Sequence, residues 1–267
     1  MQARFRRMGN RLARGVGLYT PLRALYNSLF LSRSTRTVSI GPLHATFNTP
    51  THTIIEHVES LGGERLLLER LVEELRNDDV FWDVGASFGL YAVLAARKIS
   101  APGDVVAFEP EPHMRALLER NLRLNGIRSV SVRATALGDR DGVTEIFSAA
   151  NPNTGSSSLV QRRDYRLEKK GTRVDIRKGD TLASLGESPP PTCLKIDVEG
   201  SEGRVVAGMG NLLRDGRLRS LFCEVHPHLL PSFGDSAASF EQALVASGFA
   251  ITERIPRGSE YHLVCRR

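Results

Sequence analysis

Cysteine is scarce in this chain: Cys193, Cys223 and Cys265 are the three in 267 residues. They lie far apart in apolar, strand-like runs. That spacing excludes a disulfide framework or a thiolate zinc site and predicts buried, reduced thiols, as in the cytoplasm. No apolar run is long enough to span a bilayer. Residues 1–30 lack the compact apolar core and small-residue cleavage site of a secretory signal, so they are not expected to act as one. Internal repeats and low-complexity tails are absent too. The glycine fingerprint Gly-x-Gly-x-x-Gly of dinucleotide sites does not occur.

Acid is missing from the first 55 residues, which hold eight arginines (Arg4, Arg6, Arg7, Arg11, Arg14, Arg23, Arg33 and Arg36). The formal charge of +6 therefore describes this segment, because the remainder has 28 Lys+Arg against 30 Asp+Glu. Composition divides the chain into a basic N-terminal extension with short helices and strands (1–60) and one α/β domain (61–267). Phe5, Leu12, Leu22, Leu25 and Phe30 among the arginines leave two readings of residues 1–36. One is peripheral contact with an acidic membrane at its inner face; the other, which composition favours, is a helical extension packed on its own domain. Nucleic acid is not an expected partner, because no binding module accompanies the arginines. No oligomeric state is implied.

The periodicity predicts short strands within 37–48 and a helix within 63–76. A regular alternation follows: strand 80–84, helix 88–98, strand 104–108, helix 112–124, strand 130–136. After an irregular middle containing strands at 143–147 and 173–177, it resumes with strand 193–198, helix 202–209, strand 221–225 and helix 240–247. A hairpin of 250–255 and 261–265 closes the chain. Strands alternating with helices imply parallel βαβ units with helices on both faces. The hairpin adds one antiparallel strand near the C-terminus. The turn-rich run 151–158 reads either as a binding loop or as a plain surface excursion.

Four polar signals interrupt this pattern. The strand 80–84 ends in Asp83, turns through Gly85 and Gly89, and enters a helix, which suits a nucleotide-like cofactor at a strand's carboxyl end. Glu109-Pro110 ends the next strand, 26 residues after Asp83; a carboxylate there has two oxygens for two ribose hydroxyls. Lys195, Asp197 and Glu199 alternate along an otherwise apolar strand, where charge is costly unless paired or placed at an open mouth. Glu224 and His226 end the neighbouring strand. His226 is a candidate base for a hydroxyl proton, with structural capping and divalent-metal binding as the other roles for this group.

Together these stretches resemble the FkbM family of S-adenosylmethionine-dependent methyltransferases, from about residue 63 to about residue 249. Lys195-Ile-Asp-Val-Glu-Gly-Ser-Glu202 is similar to the family's Lys-x-Asp-x-Glu-Gly-x-Glu signature, and Asp83-Val-Gly-Ala-Ser-Phe-Gly-Leu-Tyr91 to its Asp-Val-Gly-Ala-Asn-x-Gly-x-Tyr. Ser87 stands at the usual Asn position. Phe108-Glu-Pro110, Gly155-Ser-Ser157 and Glu224-Val-His226 are weaker matches.

The resemblance implies a class I methyltransferase (Rossmann-like) sheet and methyl transfer to a hydroxyl of a small-molecule or glycan acceptor. It implies Asp83, Gly85, Ala86, Gly89 and Tyr91 at the cofactor's amino-acid end. Glu109 and Pro110 belong at the ribose, and Ala136 to Gly138 at the adenine. Asp197 is expected to orient cofactor or acceptor, and His226 to act as base ahead of Asp197. Glu199, Glu202, Glu224 and Ser157 are expected on the acceptor side, with a need for divalent metal left open. Two alternatives stand beside this reading: a silent binding module recruited through its basic N-terminus, and a nicotinamide-dependent oxidoreductase, which the missing glycine fingerprint disfavours.

Overall fold

The computed structural model describes residues 31, 33–100, 103–148, 157–158 and 171–267. Residues 1–30, and with them most of the membrane-contact expectation, lie outside the described residues, as does most of the run 149–170.

A hairpin of β1 (Thr35–Ile40) and β2 (Leu43–Asn48) opens the described chain. It leads to α1 (His52–Ser60), a 3-10 turn and α2 (Arg65–Glu74). Next come β3 (Val80–Val84), α3 (Leu90–Lys98), β4 (Asp104–Phe108), α4 (Pro112–Leu124) and β5 (Val130–Arg133). A small second sheet follows, built from β6 (Ala136–Leu137), β7 (Gly142–Ser148), β8 (Ser157–Ser158) and β9 (Thr172–Arg177) in the order β6-β9-β7-β8. The chain ends with α5 (Gly179–Ser184), β10 (Cys193–Ile196), α6 (Glu202–Ala207), β11 (Ser220–Val225), α7 (Ala237–Ala246), β12 (Ala250–Arg257) and β13 (Glu260–Arg266).

Among the described residues the central sheet has seven strands in the order β12-β13-β11-β10-β3-β4-β5. The neighbours from β11 to β5 are parallel, and β13 alone runs against the rest. This is the mostly parallel sheet with one reversed strand that the alternation predicts. Strand periodicity sends successive side chains to opposite faces. Trp82, Val106, Leu194, Leu221 and Leu263 pack with α5, α6 and α7. Phe81, Val105, Cys193, Phe222 and Val264 pack with α1 to α4. Asp83, Lys195, Glu224 and His262 fall by the same alternation on the second of these faces. They form a polar row across adjacent strands, with Asp83 opposite Lys195 and Glu224 opposite His262 in register.

Two strands are shorter than the sequence predicts. The segment 130–136 divides because the amide of Glu109, just past β4, takes the Arg133 carbonyl at 3.0 Å; Ala136 then pairs with β9. The segment 193–198 stops at Ile196, the last partner of Val84. Glu199 (φ 51°) and Gly200 (φ 98°) then reverse the chain into α6.

The hairpin at 35–48 belongs to the same core: Val38, Ile40, Ala45 and Phe47 join the cluster beneath α1 to α4. Its open edge is satisfied by Asn121 of α4 and by Asn125, which caps that helix. Asn125 Oδ1 accepts from the Thr46 amide at 2.9 Å, and Asn121 Oδ1 accepts from the Asn48 amide at 2.8 Å. The Asn121 Nδ2 also donates to the Phe88 carbonyl at 2.8 Å, so one buried amide joins the hairpin, α4 and the loop after β3. Removing it leaves buried backbone groups unpaired. Asn121→Ala is therefore expected to lower the unfolding free energy by about 2–3 kcal/mol in a urea titration. An unchanged midpoint would mean that Asn121 does not hold the hairpin.

Candidate active site

The carboxyl ends of β3, β4, β10 and β11 open into a cleft of ≈ 350 Å³. Its floor begins with the turn after β3. Gly85 has φ 79°, and a Cβ there would lie 1.8 Å from the Asp197 carbonyl oxygen. Gly89 has φ 92° and faces Leu118 Cδ1, 2.3 Å from where a Cβ would be. Both glycines are thus required by close packing of the protein on itself. Ser87 is also left-handed, at φ 50°. Asparagine, the residue at this place in the resembling motif, tolerates that backbone better than serine does.

Glu109 stands at the end of β4 on the cleft wall, 6 % exposed. Its two carboxylate oxygens accept from the Ser87 amide at 2.7 Å and the Glu111 amide at 2.8 Å. Burial outweighs these two bonds and raises its pKa to about 7. Each oxygen keeps a further lone pair free to accept.

Lys195 lies at the centre of the site. Its Nζ donates to the Gly85 carbonyl at 2.8 Å and stands 3.3 Å from Asp83 Oδ1 and 3.5 Å from Asp197 Oδ2. Burial works against its charge, but Asp83 and Asp197 hold its pKa above the ordinary lysine value. Asp83 is enclosed completely, and burial raises its pKa against the pull of Lys195.

At the β11 end, Asp197, Glu199, Glu224 and His226 converge. His226 Nδ1 lies 2.6 Å from Glu202 Oε1, which also accepts from the Gly200 amide at 3.0 Å. Its Nε2 faces Glu199 and Glu224, each at 3.9 Å. Burial opposes protonation of this imidazole, yet the Glu202 bond and the surrounding carboxylates raise its pKa to about 10. Burial opposes the charge on Asp197 as well, but Lys195 and His226 hold its carboxyl below its usual range.

Sequence reasoning missed the opposite wall. α1 contributes His57 and Ile54, and Glu64, just before α2, accepts from the Tyr91 hydroxyl at 2.7 Å. Arg257, from β12, donates to the Gly62 carbonyl at 2.8 Å and to Glu224, and lies 3.6 Å from Glu64. The pair Gly62-Gly63 was the available signal, since a Cβ at Gly62 would sit 2.8 Å from His57 Cε1.

Of the residues singled out from sequence, Gly85, Ala86, Tyr91, Glu109, Pro110, Ala136, Asp197, Glu199, Glu224 and His226 line the cleft. Asp83, Gly89, Gly138 and Glu202 stand behind its wall. Gly138 is turned towards Ile176, and Glu202 reaches the site through His226. Ser157 belongs to β8, whose backbone pairs with Phe147–Ser148; the rest of that loop lies outside the described residues.

The profile described as "Methyltransferase FkbM domain" matches residues 83–250. The chain belongs to the FkbM methyltransferase family. Its similar proteins include the hexuronic acid methyltransferase AglP of Haloferax volcanii, 28 % identical over 200 residues, covering 74 % of this chain and 77 % of that one. The 31-O-demethyl-FK506 methyltransferase FkbM of Streptomyces tacrolimicus is 28 % identical over 261 residues, covering 83 % and 96 %. Among solved structures, the methyltransferase FkbM of Methylobacillus flagellatus is 15 % identical with a TM-score of 0.49, covering 82 % of this chain and 54 % of that one. This FkbM chain is accordingly an S-adenosylmethionine-dependent methyltransferase.

The three thiols are free and buried, and burial raises the pKa of each, so they are inert packing groups. Among the described residues no helix is long and apolar enough to cross a membrane.

Lys195 neutralises two carboxylates that have no other cation as close. Its removal leaves buried charge unpaired. Lys195→Met is expected to cost about 3–5 kcal/mol of stability at pH 7.5. The cost should shrink as pH falls, because Asp83, whose pKa burial already raises, takes up a proton more readily and loses its charge. A variant as stable as the parent in chemical denaturation would remove Lys195 from this role.

Proposed function

We propose that the cleft binds S-adenosylmethionine with its ribose on Glu109, and that the chain methylates a hydroxyl oxygen of a sugar, glycan or natural product. The observation that carries the reading is the Glu109 carboxylate. It is fixed by two backbone amides at the end of β4, beside the left-handed turn at Gly85 to Ser87. Ala136, beyond the next strand, supplies an apolar surface suited to the adenine. Gly85 and Ala86 suit the amino-acid end, while Asp83 acts behind them by holding Lys195. The names of the two relatives support the acceptor class: one is named for a hexuronic acid, the other for an oxygen position of a natural product.

Bound S-adenosylmethionine supplies a methyl group already activated by its sulfonium. The chain has to align the acceptor, exclude water and remove the hydroxyl proton. β4 and β11 are three strand spacings apart, about 14 Å, which separates the ribose end from the acceptor end of the cleft. Asp197, Glu199 and Glu224 surround the acceptor end as hydrogen-bond acceptors. His226, oriented by Glu202, is the proton acceptor. Glu202 is thus a positioning residue. Cytoplasmic action is part of the same reading and is supported by the buried free thiols; contact of residues 1–36 with an acidic membrane surface rests on composition alone.

Two pH dependences follow. Glu109 accepts from ribose hydroxyls only as a carboxylate, and its raised pKa means that the carboxylate forms as pH rises through about 7. Affinity for S-adenosylhomocysteine is therefore expected to rise about tenfold between pH 6 and pH 8 in calorimetric titrations, and to be flat in Glu109→Gln. Equal pH dependence in both proteins would move the ribose elsewhere. His226 is an imidazolium at neutral pH and must lose its proton before it can accept one. In chelator-containing buffer, turnover is expected to climb about tenfold per pH unit from 7 to 9, with no such slope in His226→Gln. A flat profile in the parent would exclude His226 as the base.

A further inference from the structure

We propose that Asp197, Glu224 and His226 form a divalent-cation site of the Mg²⁺ or Mn²⁺ class at the acceptor end of the cleft. One donor atom from each of the three lies within 4.8 Å of the others. Asp197 and Glu224 come from adjacent parallel strands, so the sheet sets their spacing. His226 follows two residues after Glu224.

The geometry around the imidazole is that of a ligand whose outer partner is already in place. Metal-bound histidines characteristically give their second nitrogen to a carboxylate, which fixes tautomer and ring direction. Here Glu202, fully buried, holds Nδ1 at 2.6 Å and leaves Nε2 pointing at carboxylates it cannot hydrogen-bond. The Glu224 oxygen 3.9 Å away is too far for that bond. The gap is the right size for sharing an ion, since two donors each about 2.1 Å from one cation lie about 3 to 4 Å apart.

A second, independent feature points the same way. His262 is completely buried on β13, and neither ring nitrogen has a hydrogen-bond partner. Its Nε2 is aimed at Glu224 Oε2 from 3.6 Å. A buried polar ring without a hydrogen-bond partner is costly, so His262 marks this corner of the cluster as one whose polar groups are not yet satisfied. Glu199 adds a further carboxylate 3.9 Å from His226, carried on a left-handed backbone at φ 51° that a non-glycine residue adopts at a cost.

Two carboxylates and one imidazole suit a hard or borderline cation better than a thiophilic one. Arg257 already pairs with Glu224, and Lys195 stands 3.5 Å from Asp197, so the ion meets carboxylates whose charge is partly balanced. Binding is therefore readily reversible. Asp197, the most exposed of the three, faces the cleft and leaves room for an acceptor oxygen beside the ion. Coordinated there, an acceptor hydroxyl would be oriented and its pKa lowered, so it would not need His226 as its base; with Nδ1 on Glu202 and Nε2 on the ion, His226 takes up the proton only in the ion-free protein. This last role rests on the methyltransferase reading; the ion site itself does not.

The test is titration of the metal-free full-length protein with Mn²⁺, followed by electron paramagnetic resonance, with calorimetric titration of S-adenosylhomocysteine run beside it. One saturable Mn²⁺ site is expected, with ¹⁴N modulation from an imidazole ligand in the pulsed spectrum of the unmodified protein. Affinity should fall about 10–100-fold in Glu202→Gln, which removes no ligand, and further in Asp197→Asn and Glu224→Gln. The ¹⁴N signal should vanish in His226→Gln. The ¹⁴N measurement on the unmodified protein decides the matter even if a variant fails to fold. No Mn²⁺ binding, or binding without ¹⁴N coupling, overturns the site. If S-adenosylhomocysteine still binds one-to-one in that case, the methyltransferase reading stands without the metal. Mn²⁺ binding with the ¹⁴N signal but no nucleoside binding would support the ion site and count against the cofactor reading.

Discussion

A single buried ammonium organises this protein's cleft. Lys195 sits in the middle of the sheet and bonds the Gly85 carbonyl between the carboxylates of Asp83 and Asp197. Each partner belongs to a different part of the site: the end of β3, the turn after it, and the first residue beyond β10. Burying one lysine with Asp83, beside the partly exposed Asp197, is expensive, and it is tolerable only because the charges offset one another at short range. The arrangement also dictates the glycine at position 85, where a side chain would enter the Asp197 carbonyl. The turn that resembles a ligand cradle is therefore first a consequence of strand ends drawn together by a salt bridge.

The same sheet separates packing from chemistry. One face is apolar along its length and takes α5, α6 and α7. The other begins apolar at the amino ends of the strands and becomes polar at their carboxyl ends, from Asp83 across Lys195 and Glu224 to His262. The cleft opens where that polar row emerges. Its far wall comes from the first and last parts of the described chain. Arg257 on β12 binds the Gly62 carbonyl and stands between Glu64 and Glu224, so the C-terminal hairpin and the α1–α2 corner meet over the acceptor end.

Much of this was legible in the sequence because it depends on local periodicity. The alternation of strands and helices after residue 80, the reversed C-terminal hairpin strand and the strand-end acids Asp83, Glu109 and Asp197 are all set within short windows. What was illegible depends on closure over long separations. Glu202 reads as an acceptor-side carboxylate beside Glu199, yet the left-handed turn at Glu199 and Gly200 sends it beneath His226, where it orients the ring. Gly138 reads as part of an adenine wall, but β6 leaves the central sheet and only Ala136 and Leu137 reach the cleft. Glu64, His57 and Arg257 gave no local signal beyond a pair of glycines, because their roles arise only when residues about 195 apart in sequence meet.

The proposed function puts S-adenosylmethionine on Glu109 and the turn after β3 and leaves the Asp197, Glu224 and His226 end for the acceptor. A crystal structure of the protein with S-adenosylhomocysteine tests this most directly. The ribose hydroxyls are expected within hydrogen-bond reach of Glu109, with the amino-acid end over Gly85 and Ala86 and the sulfur turned towards Asp197. A nucleoside bound with its ribose away from Glu109, or occupying the Glu224 and His226 end, would contradict this placement.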